Sequence, residues 1–254
     1  RWGLAQTACA RSGHELSSCD MKLIVAVLVA STIGLAQSSP TPRMQGRVID
    51  VPGHGQMGYT ISVPRDLGDN DPRPLVLALH PGGGSRGGPF LSQVVEPALR
   101  EWGAIIVAPD SPNRRWSEPS AEESVLFLLD DVLERYAIDR NRMLVTGFSM
   151  GGAGTWFMST HHPERFSGAI PIAGRPRDNP LDALGPIPVH IIHSRDDELV
   201  PIGPARDAAN ALSEQNHTVQ FTELSGIGHY AMGGYVDALR QAGSWMWHQW
   251  ETRE

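Results

Sequence analysis

The chain has 254 residues, 41% of them hydrophobic, and a formal net charge of −7 at pH 7. That is enough apolar chain for one α/β domain with a sizeable core, and the acidic balance argues against nucleic acid or an anionic membrane surface as partner. Both cysteines, Cys9 and Cys19, fall within the first twenty residues, so the remainder offers no disulfide framework, thiol nucleophile or cysteine metal site.

In chain order, residues 1–20 precede Met21 and read as an upstream extension foreign to the fold. Residues 21–36 have the layout of a secretory signal. Lys22 is followed by an apolar run from Leu23 to about Leu35, with small residues at Gly34 and Ala36, so cleavage is expected near Ala36/Gln37. The run is too short and wrongly flanked for a membrane span, and the expected location is secreted or periplasmic, with no stable membrane association. Without residues 1–36 the chain loses three cations (Arg1, Arg11, Lys22) against two anions (Glu15, Asp20) and becomes one unit more negative. Every later basic residue is an arginine.

Residues 37–57, with SSPTPRMQG at 38–46, read as a linker and N-terminal edge, and 58–254 as the catalytic domain. GYTISVP (58–64) alternates and predicts an antiparallel edge strand. Continuous apolar strands then alternate with amphipathic helices. Strands are expected at 74–80, 104–110, 142–149, 168–174, 187–194 and 219–224. Helices are expected near 90–102, 121–136, after Ser149, near 204–215 and at about 234–250. Unbroken apolar strands are buried on both faces, which predicts a mostly parallel central sheet with helices on each side. The segment between Gly174 and Ile187 is too short for a large lid.

In an open parallel sheet the ligand lies beyond the carboxyl ends of the strands. Those ends carry His80-Pro81-Gly82-Gly83-Gly84, then Ser149 within Gly147-Phe148-Ser149-Met150-Gly151, then Asp196-Asp197, and finally Gly226-Ile227-Gly228-His229. The spacing G-x-S-x-G is that of a strand turning sharply into a helix, and the order Ser, Asp, His is that of the α/β-hydrolase fold. A serine hydroxyl becomes nucleophilic when a histidine accepts its proton. A carboxylate then holds the histidine tautomer, and preorganised N–H groups receive the oxyanion. Met150, opening the helix, supplies one such N–H, and Gly82 or Gly83 the other. Of the histidines after the acids, His217 enters the last strand at the opposite end and His248 belongs to the last helix, which leaves His229. The acid is Asp196 or Asp197.

Trp116 follows another strand end and either walls a substrate pocket or simply packs. His80 is expected to orient the glycine loop, and His161-His162 to sit at a helix C-terminus as dipole partners. No stretch has convincing metal-ligand spacing.

The stretches LVLALHPGGG, IDRNRMLVTGFSMGGAGTW, HPERFSGAIPIAG, HSRDDELVP and SGIGHYA resemble secreted α/β-hydrolases of the polyhydroxybutyrate-depolymerase-like and feruloyl-esterase-like group, of phospholipase/carboxylesterase type. The resemblance runs from about Tyr59 to the end. In that group the acid motif is H-G-x-x-D-x-x-V-P. Laid on His193 to Pro201 it implies Asp197 as the acid, and the histidine motif implies His229. Pro81 and Ser194 stand where the group has glycine. The resemblance implies hydrolysis of a small-molecule or polymeric carboxylic ester through an acyl-enzyme without a cofactor. The alternatives are a serine peptidase of the prolyl-oligopeptidase type, using the same triad, and a non-catalytic binding module on a hydrolase fold.

Overall fold

The computed structural model describes residues 42–253 apart from 69, 85 and 112–114. The expected extension and signal segment lie outside the described residues. Eight strands form one sheet in the order β1-β2-β4-β3-β5-β6-β7-β8. They are β1 (Arg43–Val51), β2 (Gly55–Val63), β3 (Arg73–Leu79), β4 (Ile105–Pro109), β5 (Ile138–Phe148), β6 (Gly168–Ile172), β7 (Val189–Ser194) and β8 (Val219–Leu224). β1 and β2 pair antiparallel, as do β2 and β4. All other neighbours are parallel.

The strand expected at the edge is β2, and it is not the edge. β1, drawn from the stretch read as linker and N-terminal edge, lies outside it, paired from Arg43 against Val63 to Val51 against Gly55. Its sequence, RMQGRVIDV, is largely polar and mostly exposed. It is a strand because β2 offers it a ladder, not because its own apolar pattern demands one.

The inner strands follow their sequence. Leu75, Leu77 and Leu79 of β3 join a core with Val125 and Leu128 of α3 (Pro119–Arg135) and Trp156 of α4 (Met150–His161). The alternate residues Val76 and Ala78 face the other core, with Leu239 and Met246 of α6 (Val236–Glu251). Alternation with both sets buried is the signature of a strand covered on both faces. Each such Leu, fully buried, contributes about 1.5–3 kcal/mol.

The helix expected over 90–102 is broken. α1 (Gly88–Phe90) passes through a π turn, Leu91–Val95, into α2 (Glu96–Leu99) and a last 3-10 turn, Arg100–Trp102. Pro97 supplies no N–H to the preceding turn, so the regular ladder cannot continue through it. α5 (Gly203–Glu214) covers the β7–β8 side. Between β6 and β7 the chain carries one short 3-10 turn, Leu181–Leu184, and no lid.

Candidate active site

Ser149 sits between β5 and α4 with φ 57° and ψ −110°. A left-handed φ is strained for a residue with a Cβ, and two glycines permit it by close approach. A Cβ on Gly147 would lie 2.4 Å from the Gly151 carbonyl oxygen, and one on Gly151 would lie 1.8 Å from that of Leu79. The turn is tied down at both ends. The Ser149 N–H donates to Ile172 O at 2.9 Å, and Ser149 O accepts from Ala153 N at 2.9 Å, the first bond of α4. The Met150 N–H therefore belongs to the open first turn of that helix, where amides have no intrahelical partner.

The hydroxyl faces His229. Ser149 Oγ is 2.8 Å from His229 Nε2, and His229 Nδ1 is 2.7 Å from Asp197 Oδ2. Asp197 is held in turn: its Oδ1 accepts the N–H groups of Leu199 at 3.0 Å and Val200 at 2.7 Å. Its side chain is fully buried and that of His229 is 5% exposed. A carboxylate so placed sets the histidine tautomer, with the proton on Nδ1 and the lone pair of Nε2 toward serine.

Asp196, the other candidate acid, points elsewhere. Its Oδ2 accepts the Gly226 N–H at 2.5 Å. Glu198, which sequence reasoning passed over, accepts the backbone N–H of His229 at 2.9 Å. Three successive acids thus hold three parts of the histidine loop: its first glycine, the His229 ring and the ring's own backbone. The run Asp196-Asp197-Glu198 directly after a strand was the available signal.

Behind Asp197, His193 is wholly buried. Its Nε2–H donates to Val200 O at 2.9 Å and lies 3.5 Å from Asp197 Oδ2. Burial, opposed in part by that backbone bond, pulls its pKa below the usual histidine value and keeps it neutral. Phe148 packs against the His229 ring at 5.2 Å and meets Tyr235 edge-on at 5.1 Å. Burial, helped by the Asp197 charge, pushes the Tyr235 hydroxyl up to about 12. The hydroxyl makes no hydrogen bond among the described residues.

On the opposite side, His80 orients the glycine loop as expected. Its Nδ1–H donates to Pro81 O at 2.7 Å, and its Nε2 accepts the Ser111 N–H at 3.1 Å. Burial lowers its pKa, so it stays neutral in that tautomer. Gly82 lies beside Met150, where a Cβ would be 3.8 Å from that side chain, and Gly83 takes the left-handed φ of +85° that closes the loop. Trp116 is 2% exposed. It packs edge-on to His80 at 4.9 Å and donates its Nε1–H to His80 O at 3.1 Å, and its remaining surface lines the cavity.

That cavity, about 730 Å³, opens on Ser149 and is bounded by Met150, Trp116 and Phe157. His161 stacks on Phe157 at 4.2 Å and donates to its carbonyl at 3.1 Å, at the C-terminal end of α4. His162 instead bonds Glu122 of α3 at 2.7 Å. His217 donates to Ile187 O at 2.7 Å, remote from the serine. Among the described residues no three His, Cys, Asp or Glu side chains are grouped to hold a metal, and no helix is long and apolar enough to cross a membrane.

A mostly parallel sheet with this strand order, a serine elbow and an acid and a histidine at later strand ends define an α/β-hydrolase. Residues 101–242, more than half of the chain, match the phospholipase/carboxylesterase family, and the chain belongs to that family as a carboxylic ester hydrolase. It is 24% identical over 220 residues, 82% of either chain, to a protein of Aspergillus flavus named "Probable feruloyl esterase C". It is likewise 24% identical to feruloyl esterase D of Neurospora crassa, over 62% of this chain and 59% of that one. Among solved structures it superposes on a thermostable esterase with a TM-score of 0.70 at 27% identity, covering 81% of this chain and 62% of that one.

Proposed function

We propose that the protein is a secreted serine esterase acting through an acyl-enzyme, with Ser149 as nucleophile, His229 as general base and acid, and Asp197 as its orienting carboxylate. The observation that carries this reading is the unbroken hydrogen-bonded chain Ser149–His229–Asp197, at 2.8 and 2.7 Å. As Ser149 Oγ bonds to the ester carbonyl carbon, its proton passes to His229 Nε2, and Asp197 stabilises the imidazolium so formed. The carbonyl electrons move to oxygen, and the Met150 and Gly82 amides receive that charge, with Gly83 the neighbouring alternative. Each such donor lowers the barrier by about 3–4 kcal/mol.

Collapse of the intermediate breaks the ester C–O bond, and His229 returns its proton to the leaving alkoxide. Water, deprotonated by His229, then attacks the acyl-Ser149 carbonyl. A second collapse releases the acid and restores the serine. Every proton and charge in the cycle has a protein group assigned to it, so no cofactor is invoked. Secretion follows from the signal-like segment 21–36, with residues 58–254 carrying the catalytic machinery behind the linker and edge of 37–57.

The acyl group most in keeping with a cavity bounded by Trp116 and Phe157 is a flat aromatic one, in line with the names of the feruloyl esterase relatives. The test is hydrolysis of p-nitrophenyl butyrate, methyl ferulate and a peptide p-nitroanilide by wild type and Ser149→Ala. Ester turnover that vanishes in the alanine variant supports the reading. Persistence of activity in that variant removes Ser149 from its role, and amide cleavage in preference to esters makes the enzyme a peptidase.

A further inference from the structure

The catalytic cavity has a charge opposite in sign to that of the protein. The chain as a whole is acidic, at −7, yet Arg115, Arg175 and Arg177 all line the space in front of Ser149. Several arginines elsewhere are matched with carboxylates: Arg100 with Glu96 at 2.6 Å, Arg135 with Asp131 at 2.7 Å, and Arg195 and Arg206 both with Glu223 at 2.9 and 2.8 Å. Among the described residues the side chains of the three cavity arginines make no ion pair or hydrogen bond. Asp178, the one carboxylate on the same lining, pairs with none of them. All three side chains are exposed, so their charges reach the solvent that a substrate must displace.

Two of the three are carried on a loop with a locked backbone. Just past β6, Ala173 is wholly buried at φ 48°, and two residues after Arg175 the chain holds Arg177 at φ 51°. A left-handed φ on a residue with a long side chain is disfavoured and persists only where its surroundings enforce it. Here Pro176 between them is buried, and its carbonyl accepts both the Asn179 N–H at 3.2 Å and the Asn179 Nδ2–H at 2.6 Å. A fixed loop presenting guanidinium groups without partners beside a nucleophile suits a planar oxyanion, which arginine binds by paired N–H donors.

From this we infer that the ester carries an anionic group, a carboxylate, on the half that occupies this cavity, and that Arg115, Arg175 and Arg177 select for it. The inference rests on the esterase reading above and adds the charge of the substrate to it. Steering by such a patch raises the encounter rate and weakens with salt.

The experiment compares two pairs of esters matched in shape and differing in charge: mono-p-nitrophenyl glutarate against p-nitrophenyl pentanoate for the acyl half, and 4-acetoxybenzoate against 4-acetoxybenzamide for the alcohol half. In at least one pair the anionic member is expected to have about a tenfold or greater advantage in kcat/KM at low ionic strength, shrinking in about 0.5 M NaCl. The double variant R175Q/R177Q should bring that ratio toward one. The double variant R195Q/R206Q, which removes an equal charge outside the cavity, should leave it in place. A neutral ester equal or preferred in both pairs overturns the inference while the esterase stands, as does a ratio that survives the double variant. If the folded protein hydrolyses none of the four, the esterase reading falls and this inference with it.

Discussion

Glu198 accepts the backbone N–H of His229 at 2.9 Å, one residue along the chain from the carboxylate that holds the same histidine's ring. The His229 residue is thus fixed at two points by consecutive residues of one loop. Gly228 makes room for this, since a Cβ there would come within 2.9 Å of Glu198 Oε2. Glu198→Ala should lower kcat by about tenfold, as misplaced catalytic groups lose rate steeply, with little change in KM for a small ester. Glu198→Gln keeps an acceptor for the amide and should restore most of the rate. Steady-state kinetics on p-nitrophenyl butyrate distinguish the two. Equal loss in both variants would make the charge, and not the positioning, the relevant property.

Asp197 and Asp196 are neighbours with separate partners, the His229 ring and the Gly226 amide. Asp197→Asn leaves the shape nearly unchanged but presents the wrong hydrogen-bonding group to Nδ1. The expected loss in kcat is about 10³–10⁴-fold. Asp196→Asn retains an oxygen for Gly226 and should stay within about tenfold of wild type, having lost only the charge assistance of one exposed bond. The reverse ranking would move the acid to Asp196.

His190 on β7 is 4% exposed, hydrogen-bonded through Nε2 to Thr222 Oγ1 at 2.7 Å, with Nδ1 unpartnered among the described residues. Burial lowers its pKa to about 4. The unfolded chain, with an ordinary histidine value near 6.5, binds the proton more readily than the fold does. Stability from this group is therefore complete above about pH 6.5 and declines as pH falls toward 4, by on the order of 3 kcal/mol at the limit. His193 and His80, also lowered by burial, add in the same direction. Urea midpoints measured between pH 7 and pH 4.5 should fall accordingly, and His190→Gln should flatten the slope. An unchanged slope would assign acid sensitivity to the carboxylates.

Gly151→Ala puts a methyl where only 1.8 Å separates it from the Leu79 carbonyl oxygen. Neither the strand end nor the elbow can retreat without loosening the other, since β3 and β5 are paired up to Leu79 and Gly147. Overpacking of this kind against backbone should cost about 3 kcal/mol or more. The readout is a denaturant midpoint alongside activity. Full stability in the alanine variant would mean that the elbow tolerates far more movement than its geometry implies.

The central architecture was legible because β3, β4 and β6 are apolar at every inner position, a pattern that only burial on both faces accounts for. The elbow was legible for a related reason: glycine at 147 and 151 is a covalent requirement of close approach, so it is written at fixed spacing. β1 was not, since its polar residues take a strand conformation only against β2, an interaction that belongs to the pair. Nor could local pattern locate the break in the helix around Pro97, because neighbouring turns decide how a lost hydrogen bond is absorbed.

By itself the sequence determined the chemical inventory and its order at the strand ends: a serine, an acidic run and a histidine, with glycines wherever the backbone must crowd. Composition and spacing carry that information because they depend on local sterics. The separate partners of Asp196 and Glu198, the neutral state of His80 and His193, and the unpaired side chains of the three arginines in front of Ser149 were decided only by the tertiary structure. Those properties depend on distance, burial and charge between residues up to 80 positions apart, and separation along the chain does not encode them.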